Sequence, residues 1–344
     1  MKKSTLIILA VLLVIAGFVA VFAFINQEKL IDRYIQRQAA NAFKSELLED
    51  DEAFKLITVG TAAPLPSDRA QSCNVIIANG SIFVFDLGEG SLQMMEQLRL
   101  PFVQVSEVFI SHWHSDHFMD LAGFVNRSWQ FGRDVPLTVH GPPGVVRIVN
   151  GLDSLLSIEN QYRVIHHGAD IMNPDYGLAT ASMMKPTEQE QIVYRQNDIE
   201  ISALKVNHDP VEYSYAYKVR FKDKTIVISG DCAYDEGLVT FAAGADILVH
   251  EAMQKDLVKR ASRLQAELGN DRNAKILMDV LDYHATPSDA AAIAQKAGVK
   301  KLILSHLAPV PGNPITRRIF TSGLDEIYDG PIILADDGDL FTIE

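Results

Sequence analysis

The chain has 344 residues, of which 48% are hydrophobic, and a formal net charge of −13 at pH 7. This size permits one large domain or two small ones with a substantial apolar core. Proteins that bind a nucleic-acid backbone usually carry a concentrated basic surface. No long basic run follows the amino terminus, so a nucleic-acid substrate is not expected. With two cysteines, Cys73 and Cys232, the chain has no disulfide framework and no thiolate metal site. We expect two unpaired thiols, with a single bridge as the alternative.

The amino-terminal segment predicts a membrane anchor. Lys2 and Lys3 precede residues 5–25, none of which is charged, and about 20 apolar residues are enough to span a bilayer. No small-x-small cleavage motif follows this segment, which favours an uncleaved, single-pass anchor over residues 1–26. A short basic tail before the first apolar segment favours a catalytic part outside the membrane, on the periplasmic side, although basic residues after the segment favour the opposite orientation.

The rest of the chain predicts a helical stalk over residues 27–51 and a catalytic domain over residues 52–344. In this domain, short apolar strands alternate with turns and helices. Strands are expected at residues 54–59, 74–78, 81–85, 105–110, 137–140, 192–194, 199–206, 215–221, 225–229, 247–250, 301–305 and 332–335. Helices are expected at residues 89–98, 118–131, 143–156 and 288–297. Residues 157–189 lose this periodicity and predict either a lid over the site or a surface insertion.

Two strand-rich halves with flanking helices predict an α+β fold of four layers. The helices would lie outside and the two sheets inside, giving an αβ/βα sandwich. Neither an internal repeat nor a flexible linker is visible in this part of the sequence.

The run His112-Trp113-His114-Ser115-Asp116-His117 is the most informative motif. It directly follows a predicted strand. Zinc-type ions favour imidazole nitrogen and carboxylate oxygen, so one tight loop can supply four ligands, with His112 and His114 facing one ion and Asp116 and His117 a second. The alternative, a solvated polar loop, is disfavoured because only ten histidines occur in the whole chain.

Three further candidate ligands stand at the ends of predicted strands. His208 ends the strand at 199–206, Asp231 follows the strand at 225–229, and His306 follows the strand at 301–305. Gly230, before Asp231, would allow a close approach of two backbone segments. A His or Asp after one strand is a weak signal, but three of them beside the histidine run predict a site with more than one ion.

These motifs resemble those of the metallo-β-lactamase superfamily, in particular its ribonuclease Z and arylsulfatase-like branch. The resemblance extends over residues 58–344. It includes Gly60-Thr61-Ala62-Ala63-Pro64, Asp86-Leu87-Gly88-Glu89-Gly90, the histidine run, His140-Gly141-Pro142-Pro143, His208, Gly230-Asp231, His250-Glu251-Ala252, His284-Ala285-Thr286 and Ser305-His306.

The resemblance implies a hydrolase with two divalent metal ions, most simply zinc, with manganese or iron also tolerated. It implies one ion held by three histidines, a second held by two histidines and a carboxylate, and a carboxylate that bridges the two ions. The first ion would be held by His112, His114 and His208. The second would be held by Asp116, His117 and His306, and the bridging carboxylate would be that of Asp231. Water between two such ions ionises near neutral pH and attacks a bound ester.

The resemblance also implies catalytic roles beside the metal site. His250 and His284 would assist the leaving group or the transition state, because an imidazole titrates near neutral pH. Glu251 would orient His284, and Asp116 would serve in catalysis as well as metal binding. The alternative for each of these histidines is a structural role.

Two other residues of the motifs are expected to act at the edge of the site. Asp86 would brace the metal loop by hydrogen bonds without touching metal. Arg69 is a candidate contact for an anionic substrate, or an ordinary surface arginine.

One departure from the family bears on the substrate. Bacterial ribonuclease Z carries a long tRNA-gripping arm between the third histidine motif and the bridging aspartate, whereas here only residues 209–230 separate His208 from Asp231. We therefore expect a small anionic ester as the substrate, either a phosphodiester or an aryl sulfate. The alternatives are a 3′-tRNA-processing endonuclease of the ribonuclease Z type, a lactonase, and a non-catalytic, membrane-tethered metal-binding protein.

Overall fold

The computed structural model describes residues 3–41, 46–48 and 52–343, and it separates into two compact units, within residues 1–46 and 47–344. The first unit contains helices α1 (Lys3–Ile25) and α2 (Gln27–Asn41). Among the described residues, no helix combines the length and the apolar character needed to cross a membrane, so the anchor expected at residues 1–26 is not supported. Parts of the expected stalk, residues 42–45 and 49–51, lie outside the described residues.

The second unit is built from two seven-stranded sheets and the helices that flank them. The strands are β1 Phe54–Gly60, β2 Cys73–Ala78, β3 Ser81–Phe85, β4 Glu107–Phe109, β5 Leu137–Gly141, β6 Ala179–Met183, β7 Gln191–Gln196, β8 Ile199–His208, β9 Val211–Phe221, β10 Lys224–Ile228, β11 Ile247–Met253, β12 Leu302–Ala308, β13 Ile332–Leu334 and β14 Asp339–Ile343. The helices are α3 Ser91–Gln97, α4 Ser115–Phe118, α5 Leu121–Gln130, α6 Val145–His167, α7 Glu236–Phe241, α8 Lys255–Glu267, α9 Asp271–Asp279, α10 Pro287–Ala297 and α11 Pro314–Thr321.

The strand order is β14-β1-β2-β3-β4-β5-β6 in the first sheet and β13-β12-β11-β10-β9-β8-β7 in the second. One apolar cluster joins side chains of both sheets, for example Leu56 of β1 and Ile201 of β8, and therefore lies between them. Two further clusters pack helices on the outer faces: α3, α5 and α6 on the first sheet, and α7, α10 and α11 on the second. The predicted four-layer sandwich is confirmed.

The region around residues 157–189 differs from the prediction. Helix α6 continues to His167, where the sequence predicts an end near residue 156, and the edge strand β6 follows it. Helix α6 carries apolar residues on two sides, so its sequence does not show the 3.6-residue repeat of apolar residues that one buried face would give. Val149 and Leu156 are buried against the sheet, while Leu155 and Ile158 are exposed.

Candidate metal centre

Seven side chains converge beside the carboxyl ends of β4, β8, β10 and β12. They form two groups, each with its ligand atoms within 4.8 Å of one another, and Asp231 belongs to both. The first group is His112, His114, His208 and Asp231, and the second is Asp116, His117, His306 and Asp231. The structure thus brings together all seven residues that the sequence singled out, with the same division into two groups.

Asp86 holds in place the loop that carries the histidine run, residues 112–117. One oxygen of its carboxylate accepts the backbone N–H of Ser111 (2.7 Å), and the other accepts the Ser111 hydroxyl (2.9 Å). The second oxygen also lies 2.8 Å from Nδ1 of His117. Since Nδ1 of His117 is engaged in this way, Nε2 is the nitrogen that faces the cluster. Asp86 adopts the bracing position expected of it, while Ser111 was not expected.

The spacing within the second group suits a small divalent ion. Nε2 of His306 lies 3.1 Å from Oδ2 of Asp116 and 3.4 Å from Oδ2 of Asp231. Nε2 of His117 lies 3.4 Å and 3.3 Å from the same two oxygens. Ligand atoms at 2.0–2.1 Å from a tetrahedral zinc ion are about 3.3 Å apart, so these separations match the edges of such a polyhedron.

Backbone geometry sets the positions of Asp231 and His208. Gly230 has a φ of 61°, and a Cβ atom there would lie 2.4 Å from the backbone oxygen of Tyr215, so only glycine lets β10 turn this tightly into Asp231. Nδ1 of His208 donates to the backbone oxygen of Tyr283 (2.9 Å), which leaves Nε2 to face Nδ1 of His114 at 3.4 Å. Tyr283 is a second supporting residue that the sequence did not indicate.

Burial and the carboxylates together set the charges of the cluster. Burial lowers the pKa of His112 and of His208, which keeps both rings in the neutral form that binds metals. Burial also lowers the pKa of His306, but Asp231 and Asp116 outweigh it and raise that pKa to about 9. The buried carboxylates therefore draw positive charge to the cluster. Nε2 of His112 and of His117 is buried there without a hydrogen-bond partner, as expected of atoms that bind a metal ion.

His284 and Glu251 form a pair beside the cluster. Nδ1 of His284 donates to Oε2 of Glu251 (2.8 Å), and the backbone N–H of Cys232 donates to Oε1 (2.7 Å). Nδ1 of His284 is 3.9 Å from Oδ2 of Asp231. Burial lowers the pKa of His284, but Glu251 and Asp231 outweigh it and raise the pKa above its ordinary value. This imidazole is held in one orientation and is readily protonated.

Two other candidates have different surroundings. His250 is buried in β11 with Nδ1 2.8 Å from the backbone oxygen of Glu251, and no hydrogen bond joins it to the seven side chains within the described residues; its catalytic role stays a prediction. The guanidinium of Arg69 bonds Thr61 and the backbone oxygen of Ala335 and pairs with Asp336. These contacts use three of the five N–H donors of Arg69, and its substrate contact stays a prediction.

Comparisons with known proteins identify the family. A family model described as anti-Pycsar protein Apyc1 matches residues 54–306. The ribonuclease Z of Mycolicibacterium gilvum (strain PYR-GCK) is 30% identical over 259 residues, which cover 73% of this chain and 83% of that protein. The ribonuclease Z of Mycobacterium avium (strain 104) is 31% identical over 255 residues, covering 73% and 85% respectively.

Solved structures agree on the fold. The short form of human tRNase Z superposes with a TM-score of 0.60 at 21% identity, covering 84% of this chain and 99% of that one. The metallo-β-lactamase fold protein YhfI from Bacillus subtilis gives 0.59 at 20% identity, with coverage of 84% and 99%. The chain therefore belongs to the metallo-β-lactamase superfamily, in the branch that includes ribonuclease Z and the Apyc1 family, and is a metal-dependent hydrolase acting on phosphoester bonds.

Proposed function

We propose that the chain is a phosphodiesterase with two divalent ions, most simply zinc. His112, His114 and His208 would hold one ion, and Asp116, His117 and His306 the other. The carboxylate of Asp231 would be shared between them. The observation that carries this proposal is the pair of ligand groups that meet at Asp231. Five imidazoles and two carboxylates form a donor set that suits zinc and tolerates manganese or iron.

Such ions, when bound, polarise a phosphoryl oxygen and make water a nucleophile at neutral pH. The role of the ligand residues is to fix where this chemistry occurs. Asp231 and Asp116 are buried, and their pKa values are held low although burial opposes this, because His306 and His117 lie beside them. Both carboxylates are therefore ionised at neutral pH and available to hold cations.

His284 is proposed to protonate the leaving alkoxide. Glu251 occupies its Nδ1, so Nε2 is the nitrogen left for the substrate. The pKa of His284 is raised, so its ring stays protonated to a higher pH than that of an ordinary histidine. A general acid must be protonated at the start of the step. Glu251 acts through His284 as a positioning residue.

For the substrate, we propose RNA. Relatives at 30–31% identity that are matched over 83–85% of their length are ribonucleases Z. This likeness weighs against the expectation, drawn from the net charge of −13, that nucleic acid is not bound. A negative total charge does not exclude a local RNA-binding surface, since binding depends on where the charges lie.

A small phosphodiester is the second candidate, and the strands next to the site favour it. Only Asp209 and Pro210 connect β8 to β9, which leaves no room for an RNA-gripping arm at this connection. A cleft of about 710 Å³ opens beside His208, and its lining includes Glu188, Glu212 and Asp235. These carboxylates would repel a phosphate backbone on that side.

The test is a parallel assay of the zinc-loaded full chain on unprocessed tRNA, bis(p-nitrophenyl) phosphate, an aryl sulfate and a lactone. The proposal predicts cleavage of tRNA at a defined 3′ position and turnover of the diester. Higher kcat/KM on small diesters, without defined tRNA cleavage, would select the second candidate. Activity on sulfate or lactone alone would contradict both. Asp231→Asn is the matched control, because a contaminating nuclease would survive this substitution.

A further inference from the structure

The side chain of Tyr283 packs against two histidines of the metal centre. Its ring centroid lies 5.0 Å from that of His208, at an interplanar angle of 89°, and 4.9 Å from that of His284. The rings of His208 and His284 are 5.1 Å apart. The tyrosine ring therefore contacts a proposed metal ligand and the proposed general acid at the same time, and both contacts restrict its orientation.

The hydroxyl of Tyr283 is available to a bound substrate. The residue is partly buried, and its hydroxyl forms no hydrogen bond to any of the described residues, although the hydroxyl of a buried tyrosine usually has such a partner. Burial raises the pKa of Tyr283, and among the charges that raise it further are those of Asp231 and Asp116. The phenol therefore lies within the electrostatic range of both carboxylates of the metal centre.

The metal centre has few other donors for an anionic substrate. Its two ligand groups consist of imidazoles and carboxylates. In the part of the chain that the structure describes, no arginine or lysine forms a hydrogen bond or ion pair with these side chains, with Glu251 or with His284. Charge on the oxygens of a reacting phosphoryl group is best stabilised by donors that are already in place. The hydroxyl of Tyr283 is such a donor, and it stands next to the imidazole proposed to protonate the leaving group.

We propose that the hydroxyl of Tyr283 donates a hydrogen bond to a non-bridging oxygen of the phosphoryl group during hydrolysis. This inference rests on the proposed phosphodiesterase function and adds a residue that contacts the substrate. The phenol keeps its proton throughout, and the leaving alkoxide takes its proton from His284. Because the ring is held between two imidazoles, the donor is in position before the substrate binds, and such preorganisation is what lets a hydrogen bond accelerate a reaction.

Tyr283→Phe tests the hydroxyl alone, because it keeps the ring and the backbone oxygen that accepts from His208. In the zinc-loaded full chain, kcat on bis(p-nitrophenyl) phosphate should fall by about 10²-fold. KM should stay within about threefold of wild type, since the bond is made in the transition state. Metal content should not change. Tyr162→Phe, at an exposed tyrosine of α6, is the matched control and should keep the wild-type kcat. An unchanged kcat in Tyr283→Phe, or a loss of metal that accounts for its lower kcat, would overturn the proposal.

A binding measurement separates this inference from the proposed function. Orthovanadate imitates a phosphoryl group in transfer, and its binding requires no turnover. In calorimetric titrations of the zinc-loaded full chain, Tyr283→Phe should bind orthovanadate about tenfold more weakly than wild type, the effect of one lost hydrogen bond, whereas Tyr162→Phe should bind it as wild type does. This weaker binding in a chain that hydrolyses no phosphodiester would support the contact at Tyr283 and contradict only the proposed function. Equal orthovanadate affinity in wild type and Tyr283→Phe would overturn the inference, whatever the activity.

Discussion

Nδ1 of His284 lies 2.8 Å from Oε2 of Glu251, although 33 positions separate the two residues in sequence. Glu251 belongs to β11, and His284 follows the helical pair α8 and α9. The backbone N–H of Cys232 donates to Oε1 of Glu251 and holds the carboxylate in place. The backbone N–H of Glu251 donates to the hydroxyl of Ser229 and holds the strand. An imidazole held this firmly beside the metal centre is suited to proton transfer, which the first prediction tests.

His284→Ala is expected to lower kcat on a phosphodiester by about 10²- to 10⁴-fold, the usual contribution of a general acid. Metal content should not change, because the seven proposed ligands are untouched. A substrate with a good leaving group, such as a p-nitrophenyl ester, should lose less than an alkyl ester, since it needs less protonation. Equal losses on both esters, or a matching loss of metal, would point to a structural role for His284.

Asp116→Ala is expected to lower both metal content and turnover. Oδ2 of Asp116 lies 3.1 Å from Nε2 of His306 and 3.4 Å from Nε2 of His117, so its loss removes one corner of the second ligand group. Metal per chain, measured after gel filtration, should fall from two towards one. Asp325→Ala, at an exposed carboxylate that belongs to neither ligand group, provides the control. Full metal content in Asp116→Ala would contradict its role as a ligand.

Asp86→Asn tests the support of the histidine loop. The amide cannot accept as the carboxylate does from both Ser111 and His117, so the orientation of His117 should loosen. Loss of such a partner typically weakens metal affinity by about 10- to 100-fold. Competition with a chelator measures this, and Ser111→Ala should give a smaller effect, because Asp86 still bonds Nδ1 of His117. Unchanged affinity in Asp86→Asn would refute the bracing role.

Arg133 is predicted to stabilise the first sheet's helical layer. Its buried guanidinium donates to the backbone oxygens of Val135 and Tyr176 at 2.7 and 2.6 Å, and to the Ser128 hydroxyl. Arg133→Met leaves those acceptors unpaired and should lower the free energy of unfolding by about 2–4 kcal/mol, measured by urea titration. Arg318→Met, at an exposed position of α11, should change it by less than about 0.5 kcal/mol.

The sequence predicts the inner strands and singles out the seven side chains that the structure brings together, and the reason is local. Inner strands such as β2 and β12 are buried on both faces and contain mostly apolar residues. Four of the seven proposed ligands fall within residues 112–117, and the other three lie at or near the carboxyl ends of β8, β10 and β12. Both signals are visible without knowledge of the tertiary fold.

What the sequence does not predict depends on contacts between distant segments. The edge strands β6 and β14 are only partly buried and lack a strong apolar pattern. Ser111 and Tyr283 support the site through a hydroxyl and a backbone oxygen, and such roles leave no pattern in the residue types. The pairing of Arg69 with Asp336, which is 267 positions away, likewise leaves no pattern in the sequence.

The most direct test of the two-ion centre is a titration of metal-free full chain with zinc, following hydrolysis of bis(p-nitrophenyl) phosphate. Asp231 belongs to both ligand groups, so the two ions should act together. We predict activity that rises to a plateau at two zinc ions per chain. A plateau at one ion per chain, or activity that does not depend on zinc or another divalent metal, would contradict the account.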